Sequence, residues 1–97
     1  MTEPTTEPLR VVPSGLFRRD IKRLRKRGVA LDGLRGVLGL LAERQPLPTA
    51  LRDHALVGNY RGYRECHVAP DLLLIYRVVE TKLILVAFRA GSHSDLF

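Results

Sequence analysis

The chain has three histidines, and all of them lie in its second half, among polar and turn-rich residues. His54, His67 and His93 share this region with the carboxylate of Asp71 and the guanidinium of Arg89. An imidazole can hold or release a proton near neutral pH, and an arginine can bind a phosphate through two parallel hydrogen bonds. This set of residue types predicts cleavage of a phosphodiester by proton transfer.

Three histidines and an aspartate could also bind zinc, but their spacing argues against a metal site. His54 and His67 are 13 residues apart, His67 and Asp71 are 4 apart across a predicted turn, and His93 is remote. The sequence contains neither a His-x-x-x-His pair nor a pair of cysteines. We therefore expect no metal and no other cofactor.

Length, charge and cysteine content restrict the class of protein. The 97 residues suit one domain, which we expect at 9–97 after a disordered tail at 1–8. The net charge of +6 favours a negatively charged partner such as nucleic acid. Cys66 has no second cysteine with which to form a disulfide, and neither an export signal nor an apolar segment of about 18 residues is present. These features predict a soluble, cytoplasmic protein without a membrane contact.

The predicted elements are two helices followed by three strands. After a short β-prone piece at 9–12, Ser14 can cap the first helix and Gly28 can end it, and a second helix is predicted at about 31–44. The strands are predicted at 62–68, 72–79 and 82–89, with the apolar middle strand at the centre. Because the loops are short, neighbouring strands should be antiparallel. The sequence thus predicts an α+β fold, with an N-terminal helical hairpin packed on a small antiparallel sheet.

This arrangement would bring the polar residues to the margin of the sheet. If residues 68–70 form the loop of the first hairpin, His67 and Asp71 lie directly opposite each other, and the carboxylate fixes which ring nitrogen carries the proton. Arg89 ends the last predicted strand, His93 follows it after a glycine, and the two can reach one site at the rim of the sheet. His54 lies in a polar connector, where a structural role is the alternative.

Three further features are typical of RNA-binding surfaces. Seven of the ten residues at 18–27 are basic, and aromatic and basic residues alternate at 60–64. The last residue is a phenylalanine, which can stack on a base or fill an apolar gap. A solvated helix face and a sheet edge with packed aromatics are the structural alternatives, and the sequence leaves them open. The residues that we expect to contact RNA are Lys22, Arg23, Lys26, Arg61, Arg64 and Phe97.

Five strings in fixed order carry a resemblance to a known family. They are Arg52-Asp53-His54, Gly62-Tyr63-Arg64-Glu65-Cys66-His67, Pro70-Asp71, Leu74-Ile75-Tyr76-Arg77 and Arg89-Ala90-Gly91-Ser92-His93-Ser94-Asp95-Leu96-Phe97. Together they resemble YafQ-type toxins of the RelE/ParE superfamily, over about Phe17 to Phe97. The resemblance implies a RelE/ParE-like fold and an endoribonuclease of a bacterial type II toxin-antitoxin module. Such a toxin cuts messenger RNA on the translating ribosome, is inhibited by an antitoxin protein, and contacts DNA only through the antitoxin complex.

The resemblance also implies the active-site residues, which are His54, His67, Asp71, Arg89, His93 and Phe97. One position departs from the pattern: the residue after Asp71, often a tryptophan in relatives, is Leu72. Leucine cannot stack on a base as an indole does, so base stacking at this position is in question.

For an RNA substrate, the nucleophile is the 2′-hydroxyl of the RNA itself. The enzyme must deprotonate this hydroxyl, neutralise the phosphorane and protonate the 5′-oxygen that leaves. Arg89 can neutralise the charge of the phosphorane, the three histidines can act as the general acid and the general base, and Asp71 can orient an imidazole. The sequence does not say which histidine is the acid and which is the base. The alternative from another class is a ParE-like toxin that has no active site and acts by protein-protein binding. A helical hairpin that binds DNA ranks last, because no recognition helix is readable.

Overall fold

The computed structural model describes residues 7–97. Of the predicted tail at 1–8, only Glu7 and Pro8 belong to the described residues. The helices and strands, in chain order, are β1 (Arg10–Pro13), α1 (Gly15–Lys26), α2 (Asp32–Ala42), β2 (His54–Ala55), β3 (Arg64–Ala69), β4 (Leu72–Val79), β5 (Ile84–Gly91) and α3 (His93–Leu96). The α+β class and the two N-terminal helices are confirmed, and the three main strands lie within two residues of their predicted bounds.

The strands form one five-stranded sheet in the order β1-β5-β4-β3-β2, so the apolar strand β4 is central, as predicted. The sheet is mixed rather than wholly antiparallel, because β1 runs parallel to β5, with Arg10 opposite Ile84 and Pro13 opposite Ala87. β1 has only four residues and ends in a proline, and its pairing partner lies far along the chain. A local pattern could not reveal the direction of that pairing.

Helix α1 begins and ends where its capping residues predict. The hydroxyl of Ser14 accepts a hydrogen bond from the Phe17 amide at 3.0 Å and donates one to the Phe88 carbonyl at 2.6 Å, which ties the start of the helix to β5. Gly28 follows the helix at φ +76°, a conformation that favours glycine. No helix within residues 7–97 is long and apolar enough to span a membrane.

The two faces of the sheet bury different clusters. On the helix-covered face, Leu74, Leu85 and Cys66 are fully buried against side chains of α1 and α2. On the opposite face, a smaller cluster is formed by Leu73, Ile75 and Leu96 together with partly buried side chains: Leu56, Tyr60, Tyr63 and Phe88. β4 supplies both clusters because successive side chains of a strand point to opposite faces. The smaller cluster supports the candidate site.

Candidate active site

Four residues on four neighbouring strands lie in one row across the sheet. His54 of β2 is opposite Glu65 of β3, Glu65 is opposite Ile75 of β4, and Ile75 is opposite Arg89 of β5. Residues directly opposite each other on paired strands have their side chains on the same face. The row therefore places two of the predicted site residues, His54 and Arg89, on the face that carries the smaller cluster.

The neighbouring row of paired residues contains His67 and ends two residues before His93. His67 is opposite Leu73, and Leu73 is opposite Gly91, two residues before His93. Because strands in a sheet are spaced by about 4.8 Å, His67 and Gly91 lie about 10 Å apart across β4. His54 and His67 thus lie on one side of β4, whereas Arg89 and His93 lie on the other.

A buried carboxylate, Glu65, lies between two of the histidines. Its Oε1 atom is 3.6 Å from Nε2 of His54 and 3.7 Å from Nε2 of His67, and the centroids of the two rings are 6.3 Å apart. Glu65 is 6% exposed, and its Oε2 atom has no hydrogen-bond partner among the described residues. Sequence reasoning missed this residue. Its position two residues before His67 on a predicted strand, and hence on the same face, was the available signal.

The tautomer of His54 follows from its backbone contact. Nδ1 of His54 lies 2.6 Å from the carbonyl oxygen of Arg52. A carbonyl can only accept, so Nδ1 carries a hydrogen and donates it. Nε2 is the other ring nitrogen, and it faces the Glu65 carboxylate.

The side chain of Arg89 is held by a carboxylate of helix α1. Its Nε and Nη2 atoms donate hydrogen bonds to Asp20 of α1 at 2.8 and 3.1 Å. These hydrogen bonds are the main cause of a raised Arg89 pKa, and the neighbouring Tyr60 hydroxyl adds to it. The guanidinium stays charged, as a group that opposes a phosphorane must.

Helix α3, which carries His93, is fixed by a capping box. The Ser92 amide donates to Asp95 at 2.9 Å, the Asp95 amide donates to the Ser92 hydroxyl, and Arg27 of α1 donates to Asp95 at 2.9 Å. The hydrogen bond from the Ser92 amide is the main reason why the pKa of Asp95 falls to about 2. Gly91 is required here, because a Cβ atom would lie 2.9 Å from Cβ of Asp95.

Aromatic contacts extend from this helix to the C-terminus. The rings of His93 and Phe97 are stacked with centroids 5.0 Å apart, and Tyr60 meets Phe97 edge-on at 5.4 Å. The Tyr60 hydroxyl donates to the Leu96 carbonyl at 3.2 Å. Phe97 is nevertheless 53% exposed, so one face of its ring is open to a ligand.

The predicted opposition of His67 and Asp71 is wrong. The hairpin turn is Pro70–Asp71, Ala69 is opposite Leu72, and the register shifts between His67 and Ala69. The shorter loop and the irregularity place His67 opposite Leu73 instead. Asp71 is exposed at the tip of the hairpin. Glu65, rather than Asp71, is the carboxylate beside the imidazoles.

The predicted RNA-contacting residues differ in how free they are. Lys22, Lys26 and Arg61 are exposed, whereas Arg23 donates to Asp20 at 2.9 Å. Arg64 donates to Asp53 at 3.1 Å, and the same carboxylate accepts a hydrogen bond from the Tyr76 hydroxyl.

The aromatic residues near the first hairpin serve mainly to pack the sheet. Tyr63 stacks on Phe88 with ring centroids 4.5 Å apart, and Tyr60 belongs to the same cluster. Leu72 is buried in the larger core, beneath the helices. It is therefore not available to stack on a base.

Fold and site together define a small bacterial toxin of the kind found in toxin-antitoxin modules. The chain belongs to the YafQ family, because the family model described as a bacterial toxin of a type II toxin-antitoxin system, YafQ, matches residues 9–97. The mRNA interferase toxin YafQ of Escherichia coli K12 is 39% identical over 85 residues, which cover 87% of this chain and 90% of that protein.

Solved structures agree with this assignment. The crystal structure of YafQ from E. coli BL21(DE3) matches with a TM-score of 0.84 and 34% identity, covering 92% of this chain and 98% of that one. YafQ in the E. coli DinJ-YafQ toxin-antitoxin complex matches with a TM-score of 0.82 and 35% identity, covering 93% and 98%. A metal-bound toxin from Helicobacter pylori matches with a TM-score of 0.85 and 44% identity, covering 92% and 99%.

In the part of the chain that the structure describes, no group of three or more His, Cys, Asp or Glu side chains has an arrangement that could hold a metal ion.

Proposed function

We propose that this protein is an endoribonuclease toxin that cleaves messenger RNA on the translating ribosome. Two relatives of the same family carry the name mRNA interferase toxin YafQ. The observation that carries the proposal for this chain is the row of paired residues across β2 to β5. It puts a histidine with a buried carboxylate at one end and a clamped arginine at the other.

The chemistry begins with the 2′-hydroxyl of the RNA. The attacking and leaving oxygens of a phosphoryl transfer lie roughly in line, so the base and the acid approach the phosphorus from opposite sides. His54 and His67 lie on one side of β4 and His93 on the other. We assign one proton transfer to the first pair and the other to His93. Arg89 opposes the charge that develops on the phosphorane oxygens.

Glu65 takes the orienting role among the imidazoles. It is buried beside Nε2 of both His54 and His67, where a carboxylate can hold the rings in place and stabilise the imidazolium that forms during proton transfer. Asp71 belongs to the rim of the site. From the hairpin tip its carboxylate can accept hydrogen bonds from a base or a 2′-hydroxyl of bound RNA.

The substrate surface extends on both sides of the reacting atoms. An open cleft beside His67, lined also by Arg52 and by the strand end at 68–70, has room for a neighbouring nucleotide. On the other side, the exposed face of Phe97 can stack on a base. The basic face of α1, with Lys22, Arg23 and Lys26 on it, binds ribosomal RNA, while Arg61 and Arg64 contact the message.

The cellular setting follows from the substrate and the family. Translating ribosomes are in the cytoplasm, so we place the active toxin there. The partner named in the solved E. coli complex is the antitoxin DinJ. We propose that an acidic antitoxin holds this chain inactive, in line with its net charge of +6, and that the chain meets DNA only within that complex.

The test is incubation of the purified protein with programmed, translating ribosomes. The cut RNA should end in a 2′,3′-cyclic phosphate, because the 2′-oxygen is the nucleophile. Arg89→Ala should lower the rate of cleavage by roughly 10²- to 10³-fold, the loss that follows when one donor that stabilises a developing charge is removed. An intact message, or cuts that end in 3′-hydroxyls, would exclude this mechanism.

A further inference from the structure

A buried aspartate lies within the basic helix α1. Asp20 is 2% exposed, although three of the four residues next to it at positions 18, 19, 21 and 22 are arginine or lysine. It lies three residues after Phe17 and four before Leu24, so it shares the buried stripe of the helix. A carboxylate in such a position is costly unless its charge is paired and its oxygens are hydrogen-bonded.

Each carboxylate oxygen of Asp20 accepts two hydrogen bonds. Oδ2 accepts from Arg89 Nε at 2.8 Å and from the Ala90 amide at 3.0 Å. Oδ1 accepts from Arg89 Nη2 at 3.1 Å and from Arg23 Nη2 at 2.9 Å. The roughly four lone-pair sites of an ionised carboxylate are therefore all used. Asp20 therefore connects helix α1 to strand β5.

The contact determines which edge of the Arg89 guanidinium is left over. Asp20 occupies the edge formed by Nε and Nη2. Of the five N–H groups of the guanidinium, the two on Nη1 and the second one on Nη2 remain, and they form the end of the fork. The side chain of Arg89 is 18% exposed, so part of it is open to solvent beside the neighbouring Tyr60 hydroxyl. Two parallel N–H groups at the end of the fork match two oxygens of a phosphate.

We propose that Asp20 is a positioning residue for Arg89, which it holds so that the end of the guanidinium faces the scissile phosphate. The proposal rests on the role of Arg89 in the proposed function. Asp20 does not touch the RNA, and its effect on the chemical step of cleavage passes through Arg89. A buried ion pair is weak evidence for a contribution to stability alone, whereas a fixed, charged donor is what stabilisation of a transition state requires.

The first test is a double-mutant cycle on the steady-state cleavage of ribosome-bound message. Asp20→Asn keeps the shape but turns one accepting oxygen into a donor that faces other donors. It should lower kcat by about 10²-fold, the loss that a small misplacement of a catalytic group can cause, and leave KM unchanged. In an Arg89→Ala background, Asp20→Asn should have no further effect. Asp32→Asn, an exposed carboxylate in the first turn of α2, is the matched control and should cleave like the parent.

The second test is chemical rescue of Arg89→Ala by free guanidinium. If the role of Asp20 were only structural, this rescue would not depend on Asp20. Millimolar guanidinium should restore part of the cleavage by Arg89→Ala, because Asp20 can bind the free cation in place of the side chain. The Arg89→Ala, Asp20→Asn double variant should not be rescued. Equal rescue of both, or additive losses in the cycle, would overturn the positioning role.

A measurement on the parent protein covers the case in which Asp20→Asn does not fold. The Nε–H resonance of Arg89 should be resolved and slow to exchange with solvent, unlike that of an exposed arginine such as Arg61. Rapid exchange of this proton would contradict the hydrogen bond from Arg89 Nε to Asp20. The two proposals fail separately: normal cleavage by Arg89→Ala removes the proposed function, whereas a defective Arg89→Ala with a normal kcat for Asp20→Asn removes only the positioning role.

Discussion

The carboxylate of Asp95 should decide how firmly the helix that carries His93 is held. Asp95→Asn keeps the size of the side chain and one accepting oxygen, but it removes the charge that faces the Ser92 amide and the Arg27 guanidinium. In the parent, the pKa of this carboxyl falls from 3.8 to about 2, which corresponds to about 2.5 kcal/mol. Asp95 is 19% exposed, and asparagine keeps part of the cap. We therefore expect a loss of about 1–2 kcal/mol.

Amide hydrogen exchange measures this loss where it occurs. The Phe97 amide donates to the His93 carbonyl at 2.9 Å and is exposed only when α3 opens. In Asp95→Asn its protection should fall roughly 5- to 30-fold, the factor that corresponds to 1–2 kcal/mol. Asp32→Asn removes another carboxylate from the first turn of a helix and should leave the protection of Phe97 unchanged.

The contribution of Asp95 to the stability of α3 should depend on pH. The folded pKa of Asp95 lies below its ordinary value, so its contribution is complete above about pH 4 and is lost as the pH falls through about 2. The difference in stability between the parent and Asp95→Asn should shrink over that interval. A difference that stays constant down to pH 2, or unchanged protection of Phe97 at neutral pH, would refute the account of the cap.

Three further outcomes are expected. His67→Ala and His93→Ala should each lower the cleavage rate by roughly 10² to 10⁴ without changing the thermal unfolding temperature much, and near-parental rates in both would remove the acid-base assignment. Reversing the charge of Lys22 and Lys26 should weaken binding to ribosomes and flatten its dependence on salt concentration, whereas an unchanged slope would show that α1 does not contact ribosomal RNA. Burial raises the pKa of the Cys66 thiol to about 12, so the folded protein should resist alkylation at pH 8 and react only after unfolding; rapid labelling of the native protein would contradict the packing of β3.

The elements that local patterns define could be read from the sequence. The cap at Ser14, the stop at Gly28 and the apolar run of β4 each depend on residues within a few positions, and the structure has all three as expected. The parallel pairing of β1 with β5 depends on residues more than 70 positions apart. Nothing within the four residues of β1 encodes the partner or the direction.

The same distinction applies to the site. The histidines and Arg89 are recognisable by type, but two partner carboxylates were not. Glu65 is buried between two imidazole rings. Asp20 lies among basic residues, although its spacing from Phe17 and Leu24 puts it on the buried stripe of α1. Asp71 was predicted to lie beside His67, where the structure has Glu65, because a hairpin loop that is wrong by one residue changes every pairing around it.

Replacement of the attacking group itself tests the central claim most directly. Once the cleavage position in a message has been mapped, a message with a single 2′-deoxynucleotide on the 5′ side of that bond can be translated beside the unmodified one. The mechanism predicts that the modified bond stays intact while neighbouring secondary cuts are unaffected, because the side chains of the site supply proton transfer and charge but no nucleophile. Cleavage of the deoxy-substituted bond at the normal rate would contradict it.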